Sequence, residues 1–192
     1  TEGVTPEEYA ALNKDDRDIK EVERVFSAYE KHLAENNALD FDDLLSRTLR
    51  LLRTDKEARE YLGGRFRYIM VDEFQDTNEV QFEIVRLLSS VHGNLFAVGD
   101  DDQSIYAFRG ANIGNMADFL KDFHVEKPIK LEQNYRSTKT VLDAANALIA
   151  NNDGRLGKNL WTSGSQGAKI LVKELESEMD EAAWVVDSIR RA

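Results

Sequence analysis

The sequence predicts an α/β protein in which a parallel sheet with flanking helices is preceded by a helical segment, the chain supplying parts of two lobes. Three observations predict it. From residue 68 onward, short apolar runs at 68–71, 95–98, 129–131 and 169–172 alternate with segments of helical periodicity, a pattern that calls for parallel strands joined by right-handed crossovers. Between residues 16 and 62 the periodicity is helical. Two of the runs also end in acidic, polar loops: Tyr68-Ile69-Met70-Val71 leads into Asp72-Glu73, and Leu95-Phe96-Ala97-Val98 into Gly99-Asp100. A buried strand that delivers acids in this way places them at the carboxyl edge of the sheet, where open α/β folds bind ligands.

Composition narrows the class. The 192 residues, 42% of them hydrophobic, suffice for one ordinary domain or parts of two. With no cysteine there is neither a disulfide framework nor a thiolate metal site. There is no charged-then-apolar leader and no apolar run near the roughly 20 residues a membrane helix needs, so a cytoplasmic protein without a membrane partner is expected. A net charge of −11 argues against a generally basic nucleic-acid surface. The surplus is uneven, however: residues 128–192 carry 9 basic and 9 acidic groups. Any contact with nucleic acid is therefore expected at a local site, with stacking beside phosphate charge.

Taken in order, residues 1 to about 15 have turn and charge character and are predicted to lack order. Ile19, Val22, Phe26, Tyr29 and Leu33 share one helical face, and Asn36-Asn37 ends that helix. Asp40 caps a second helix with Asp43 as capping-box partner, its stripe being Phe41, Leu44, Leu45, Leu49 and Leu52. The cluster Asp40, Asp42 and Asp43 reads as first-turn acids facing the helix dipole more simply than as a metal site. A short helix carrying Ala58, Tyr61 and Leu62 is predicted to break at Gly63-Gly64. After the first strand, a helix from about Glu79 buries Ile84, Val85, Leu88 and Val91, and another spans about Asn115 to Phe123. Pro128 marks the junction between lobes, giving segments 1–62, 63–127 and 128–192. Val141, Leu142, Ala145, Leu148 and Ile149 define the next helix, stopped by Asn151-Asn152-Asp153-Gly154. A loop to Gly167, a strand, and a helix capped by Ser177 with Asp180 complete the chain.

The acids after the first strand carry the chemistry. Asp72 offers Mg²⁺ a hard oxygen ligand, and Glu73 beside it can polarise a water for attack on a metal-neutralised phosphate. A plain alternative is an acidic helix start in which Asp76 or Thr77 caps the helix at Glu79. Phosphate-binding enzymes of this architecture carry G-x-x-x-x-G-K-S/T, and this sequence has none. In Gly154-Arg155-Leu156-Gly157-Lys158-Asn159 the glycines are too close and Asn stands where Ser or Thr is required. The 100–110 loop fails as a calcium site, with Ile105 where the turn needs glycine and Ala111 where it needs glutamate.

Three stretches, VDEFQDTN at 71–78, VGDDDQSIYAFRGA at 98–111 and LEQNYRS at 131–137, resemble in residues, order and spacing motifs II, III and IV of the superfamily 1 DNA helicases of the UvrD/Rep/PcrA group. LDFDDLL at 39–45 and AANALIANNDGRLGKNLWT at 144–162 extend the resemblance. It implies a RecA-like, P-loop NTPase-type fold and an ATP-dependent helicase moving 3′ to 5′ on single-stranded DNA. In this family the phosphate loop lies upstream of motif II, and motifs V and VI lie beyond motif IV. The chain thus looks like a central fragment: a helical return (1–62), the second half of the first lobe (63–127) and the start of the second (128–192). Alone it is expected to be inactive, its partners being the remainder of the helicase chain, single-stranded DNA and duplex junctions. The alternatives are a helicase-nuclease subunit of the RecB or AddA type and a non-catalytic DNA-binding relative.

The resemblance also implies roles. Asp72 corresponds to the Mg²⁺-binding aspartate and Glu73 to the water-activating base, both at the metal, with ATP as substrate. Gln103 corresponds to the γ-phosphate sensor; unaided, it reads as a loop glutamine satisfying local backbone. Arg136 corresponds to the arginine reaching the γ-phosphate from the second lobe and Tyr135 to the tyrosine stacking on adenine, a pair otherwise read as an interface or surface pair. Tyr106, Phe108 and Arg109 correspond to the surface facing single-stranded DNA. Phe108 stands where several members have tryptophan, a smaller ring without the indole N–H. The spacing of the two rings alone fits core residues on a strand equally well.

Overall fold

The computed structural model describes residues 4–153 and 155–191. Its backbone divides into two compact units, Thr1–Pro128 and Ile129–Ala192. Both are mixed or helical in character, and the one sheet among the described residues is a small parallel pair in the first unit.

The first unit opens with α1 (Pro6–Leu12), where Thr5 and Glu8 form a capping box and Pro6 presets the first helical φ. The sequence predicts no order here. The difference lies in the cap and in Tyr9, whose ring meets Phe26 edge-on at 6.4 Å on α2 (Ile19–Glu35). The next helix, α3 (Phe41–Thr54), starts as its sequence dictates: Asp40 accepts from the Asp43 N–H, and the Asp43 side chain accepts from the Asp40 N–H. Its apolar stripe is only half covered. Leu49 and Leu52 are buried, whereas Phe41 and Leu44 near the helix start are exposed.

Asp55 caps α4 (Lys56–Arg65), which runs through Gly63-Gly64 rather than stopping before them. The correction has a packing cause. A Cβ on Gly63 would lie 2.7 Å from Val91 Cγ2 and 3.0 Å from the Leu88 carbonyl oxygen, so this glycine permits close approach to the end of α5 (Glu79–Ser89). The cap of α5 is Asn78, in a capping box with Gln81. Neither residue suggested by the sequence caps it: Thr77 bonds the Phe74 carbonyl, and Asp76 Oδ1 is buried without a hydrogen-bond partner among the described residues. Val80 and Phe82 are the buried apolar positions of α5, while Ile84, Val85 and Leu88 are half-buried and Val91 exposed.

Strand β1 (Ile69–Val71) pairs in parallel with β2 (Leu95–Ala97) in the register Ile69 to Leu95, Met70 to Phe96 and Val71 to Ala97. The period of two places Met70 and Phe96 together on a face that is 78% and 60% exposed at those residues. Phe74 anchors the turn that follows β1. It is fully buried, edge-on to Phe82 at 5.6 Å and tilted against Phe119 at 5.3 Å on α6 (Gly114–Asp122). Asn115 of α6, also buried, donates to the Thr77 carbonyl and hydroxyl.

In the second unit, α7 (Lys139–Ile149) buries Leu142, and its first amides donate to Ser165 and Gln166 carbonyls. The Asn146 side chain exchanges two hydrogen bonds with the Leu160 backbone, fixing the 159–162 segment beside 132–134. The helix α8 (Glu178–Arg191) begins at Ser177, whose Oγ accepts from the Asp180 N–H. The predicted strands at 129–131 and 169–172 do not form. A strand exists through its neighbour's hydrogen bonds, and these exposed residues have no pairing neighbour among those described; a single parallel bridge, Gln133 to Trp161, is what remains. Gly154, the first glycine of the phosphate-loop-like segment and the last residue of the stop signal after α7, lies outside the described residues.

Candidate functional site

The loops that leave β1 and β2 are laced together. The Val98 N–H donates to the Val71 carbonyl and the Phe74 N–H returns to the Val98 carbonyl, extending the ladder beyond the strands into both loops. The burial of Phe74 then reverses the chain in a 3₁₀ turn, Phe74–Asp76, immediately after the acids. Both Asp72 and Glu73 are solvent-exposed as a result. Asp72 Oδ1 accepts from the Glu73 N–H at 3.0 Å. Glu73 sits at φ 50°, ψ 44°, in the left-handed region that non-glycine residues seldom adopt.

Gln75 lies beneath them, 1% exposed. Its Nε2 donates to Glu73 Oε2 at 2.9 Å, and its Oε1 accepts from the Asp100 N–H at 2.9 Å. Asp100 in turn accepts on Oδ2 from Gln103 Nε2 at 2.7 Å. Gln103 is therefore an exposed amide held by a side chain rather than one satisfying local backbone. The sequence singles out Glu73 and Gln103 but not the two residues that connect them. Gln75, a polar residue between Phe74 and Asp76 shortly after an apolar run, was the available signal.

Farther along the same loop, Tyr106, Phe108 and Arg109 gather around a 3₁₀ turn, Ala107–Arg109. The two rings are tilted at 32° with centroids 5.9 Å apart, and Arg109 Cζ stands 5.6 Å from one and 5.5 Å from the other. The reading of both rings as core residues on a strand is overturned: the segment is a turn, and Phe108 is 78% exposed. Three carboxylates of this loop, Asp100, Asp101 and Asp102, have oxygens within 4.8 Å of one another, in the loop whose sequence lacks the glycine and glutamate of a calcium site. In α3, Asp40 and Asp43 are engaged as caps, and Asp43 also accepts from Arg47 Nε at 2.6 Å.

The remaining predicted residues lie in the second unit. Tyr135 is 84% exposed, with its hydroxyl donating to Gln133 Oε1 at 2.9 Å. Arg136 is exposed too; its backbone N–H, like that of Ser137, donates to Asn134 Oδ1, a turn that presents both side chains outward. The turn is fixed from behind, because the Asn134 N–H donates to the Trp161 carbonyl and the Trp161 N–H to the Glu132 carbonyl.

Among the described residues no helix is long and apolar enough to cross a membrane. Comparison with known proteins shows what this arrangement belongs to. The family described as UvrD/REP helicase N-terminal domain matches residues 1–124, and the UvrD-like helicase C-terminal domain matches residues 129–192. An ATP-dependent DNA helicase PcrA of Staphylococcus aureus is 49% identical over 170 residues, covering 88% of this chain and 23% of that protein. Its namesake in Staphylococcus epidermidis is 46% identical over 187 residues, or 97% of this chain and 26% of the relative. The chain thus spans about a quarter of the length of these relatives. On both domain matches and on identity across most of its length, the chain belongs to the UvrD/REP helicase family.

Proposed function

We propose that this chain is the central segment of an ATP-dependent DNA helicase that couples ATP hydrolysis to 3′-to-5′ movement on single-stranded DNA. One observation carries the reading: a single loop after β2 holds Gln103, linked through Asp100 and Gln75 to Glu73, and six residues after Gln103 ends an exposed aromatic-arginine cluster. Nucleotide chemistry and DNA contact then share one short piece of backbone. In this reading residues 1–62 are a helical segment returning to the first RecA-like lobe. Residues 63–127 are the second half of that lobe, and 128–192 open the second. The exposed Met70 and Phe96 on the open sheet face are apolar surface for the rest of such a lobe to cover.

The site's donor set fits Mg²⁺. Asp72 presents a hard carboxylate at the strand end, engaged by one backbone N–H on Oδ1, and Glu73 stands next to it. Bound with ATP, the cation neutralises phosphate charge. Glu73 takes a proton from the attacking water, while the Gln103 amide donates to the γ-phosphate. Arg136 supplies a planar guanidinium to the phosphoryl oxygens, and Tyr135 offers a ring face to adenine. Tyr106 and Phe108 stack on bases, with Arg109 adding charge and cation–π attraction. The setting is cytoplasmic.

The test is strand displacement by the full-length protein, with ATP and Mg²⁺, on duplexes bearing either a 3′ or a 5′ single-stranded tail. The expected outcome is unwinding from the 3′-tailed substrate, with hydrolysis stimulated by single-stranded DNA. Unwinding from the 5′ tail alone overturns the direction, and absence of both unwinding and stimulation overturns the reading.

A further inference from the structure

We propose that Gln75 is the positioning residue that sets the carboxylate of Glu73 and ties it to the loop carrying Gln103. The inference deepens the reading of Glu73 as the water-activating base and rests on it. Glu73 is exposed and long, so its carboxylate would sample several rotamers if nothing held it. A base must nonetheless lie within hydrogen-bond reach of the water it deprotonates. The Gln75 amide supplies the constraint from a position that is 1% exposed, donating through Nε2 to Glu73 Oε2 at 2.9 Å.

The partners fix how that amide is oriented. Its Oε1 faces the Asp100 N–H, a donor, and its Nε2 faces a carboxylate, an acceptor. Reversal would set oxygen against oxygen and N–H against N–H, losing both bonds. The backbone at Gly99 passes so close that a Cβ there would lie 2.8 Å from Gln75 Oε1. Ser104 Oγ approaches the Gln75 carbonyl at 3.4 Å from the same loop. The left-handed backbone of Glu73 points the same way, since unfavourable conformations persist where the surroundings over-determine them. Through Asp100 Oδ2 the chain of hydrogen bonds reaches Gln103, so a shift of the Gln103 amide toward a ligand loosens the same loop that holds Gln75.

The rival account is that Gln75 satisfies a buried amide and nothing more. The experiment uses the full-length protein with Gln75→Glu and Gln75→Met, each alone and combined with Glu73→Gln. It reads kcat and KM for ATP at saturating single-stranded DNA, binding of a non-hydrolysable ATP analogue, and amide hydrogen exchange in the 99–104 segment. Each Gln75 variant should lower kcat by about 10- to 100-fold, the cost of misplacing a reacting group by about 1 Å. KM and analogue binding should stay within about twofold. In the Glu73→Gln background the Gln75 substitutions should cost nothing more, because residues acting as a unit are non-additive. Exchange at Asp100 should rise in Gln75→Met, and stay near parental in Gln75→Glu, which retains an acceptor oxygen. Multiplicative losses in the double variants, parental kcat in both single variants, or loss of analogue binding in step with kcat each overturn the proposal. Parental hydrolysis by Glu73→Gln alone overturns the underlying base assignment instead.

Discussion

Replacing Phe108 with alanine isolates the DNA-facing end of the β2 loop. The ring is 78% exposed, so truncation removes little packing and should change stability by no more than about 0.5 kcal/mol, as at most surface positions. What it does remove is one of two rings whose centroids are 5.9 Å apart, and one of the two faces over which Arg109 stands. One base stacked on an aromatic side chain is worth about 1 to 3 kcal/mol by alanine substitution. At 1.4 kcal/mol per tenfold, affinity for single-stranded DNA should fall by about 5- to 150-fold. The DNA concentration giving half-maximal stimulation of ATP hydrolysis should rise by the same factor. Fluorescence anisotropy with a labelled oligonucleotide reads the first quantity, and phosphate release against DNA concentration the second. Parental values of both in a folded Phe108→Ala protein would refute the stacking role and, with it, the shared-loop coupling.

Other expectations follow from local geometry. Gly63→Ala should destabilise by about 1 to 3 kcal/mol through overpacking against Val91 and the Leu88 carbonyl, whereas Gly64→Ala, with nothing within 4 Å of its Cβ, should be neutral or slightly stabilising. Equal melting temperatures for the two would contradict the close approach of α4 to α5. Asp40→Ala should lose the α3 cap, at about 1 kcal/mol. The Asp43 backbone N–H and then the Tyr29 hydroxyl hold the Asp40 carboxyl below its ordinary 3.8, so its stabilisation is present well above that pH and is lost as pH falls through the lower, folded value. Urea unfolding should therefore show the parent's advantage near neutrality and its shrinkage in acid; an advantage that grew in acid would contradict this sign. The 192-residue chain by itself should release phosphate negligibly, since its sequence has no G-x-x-x-x-G-K-S/T loop to cradle ATP. Turnover at about 1 per second, the low end of ordinary enzymes, would contradict that.

Local signals were legible where both partners lie within one turn. Asp40 with Asp43 and Ser177 with Asp180 are spelled out three residues apart, and both caps form as written. Features that depend on a distant neighbour were not. Gly63-Gly64 reads as a break until Val91 is seen against Gly63, and the apolar runs at 129–131 and 169–172 read as strands until a pairing neighbour is sought. The cap of α5 is a local exception: Asn78 and Gln81 stand three residues apart directly before and inside the helix start, yet the acidic and hydroxyl residues just upstream, Asp76 and Thr77, drew the expectation. At the site, sequence motifs named the exposed groups, Asp72, Glu73, Gln103, Tyr106, Phe108, Arg109, Tyr135 and Arg136. Gln75 and Asp100, which connect two of them, emerge only when the loops after β1 and β2 are brought together. The two are 25 residues apart in the chain and leave no periodic trace.

The central claim is that the acids after β1 serve ATP hydrolysis, and Glu73→Gln in the full-length protein tests it most directly. The amide preserves length and shape, and it can still meet a hydrogen-bond partner, but it cannot accept the proton of an attacking water. Equilibrium binding of a non-hydrolysable ATP analogue should stay close to parental, while DNA-stimulated phosphate release falls by about 10²- to 10⁴-fold, the usual worth of a general base. Parental phosphate release by the Glu73→Gln protein would contradict the account.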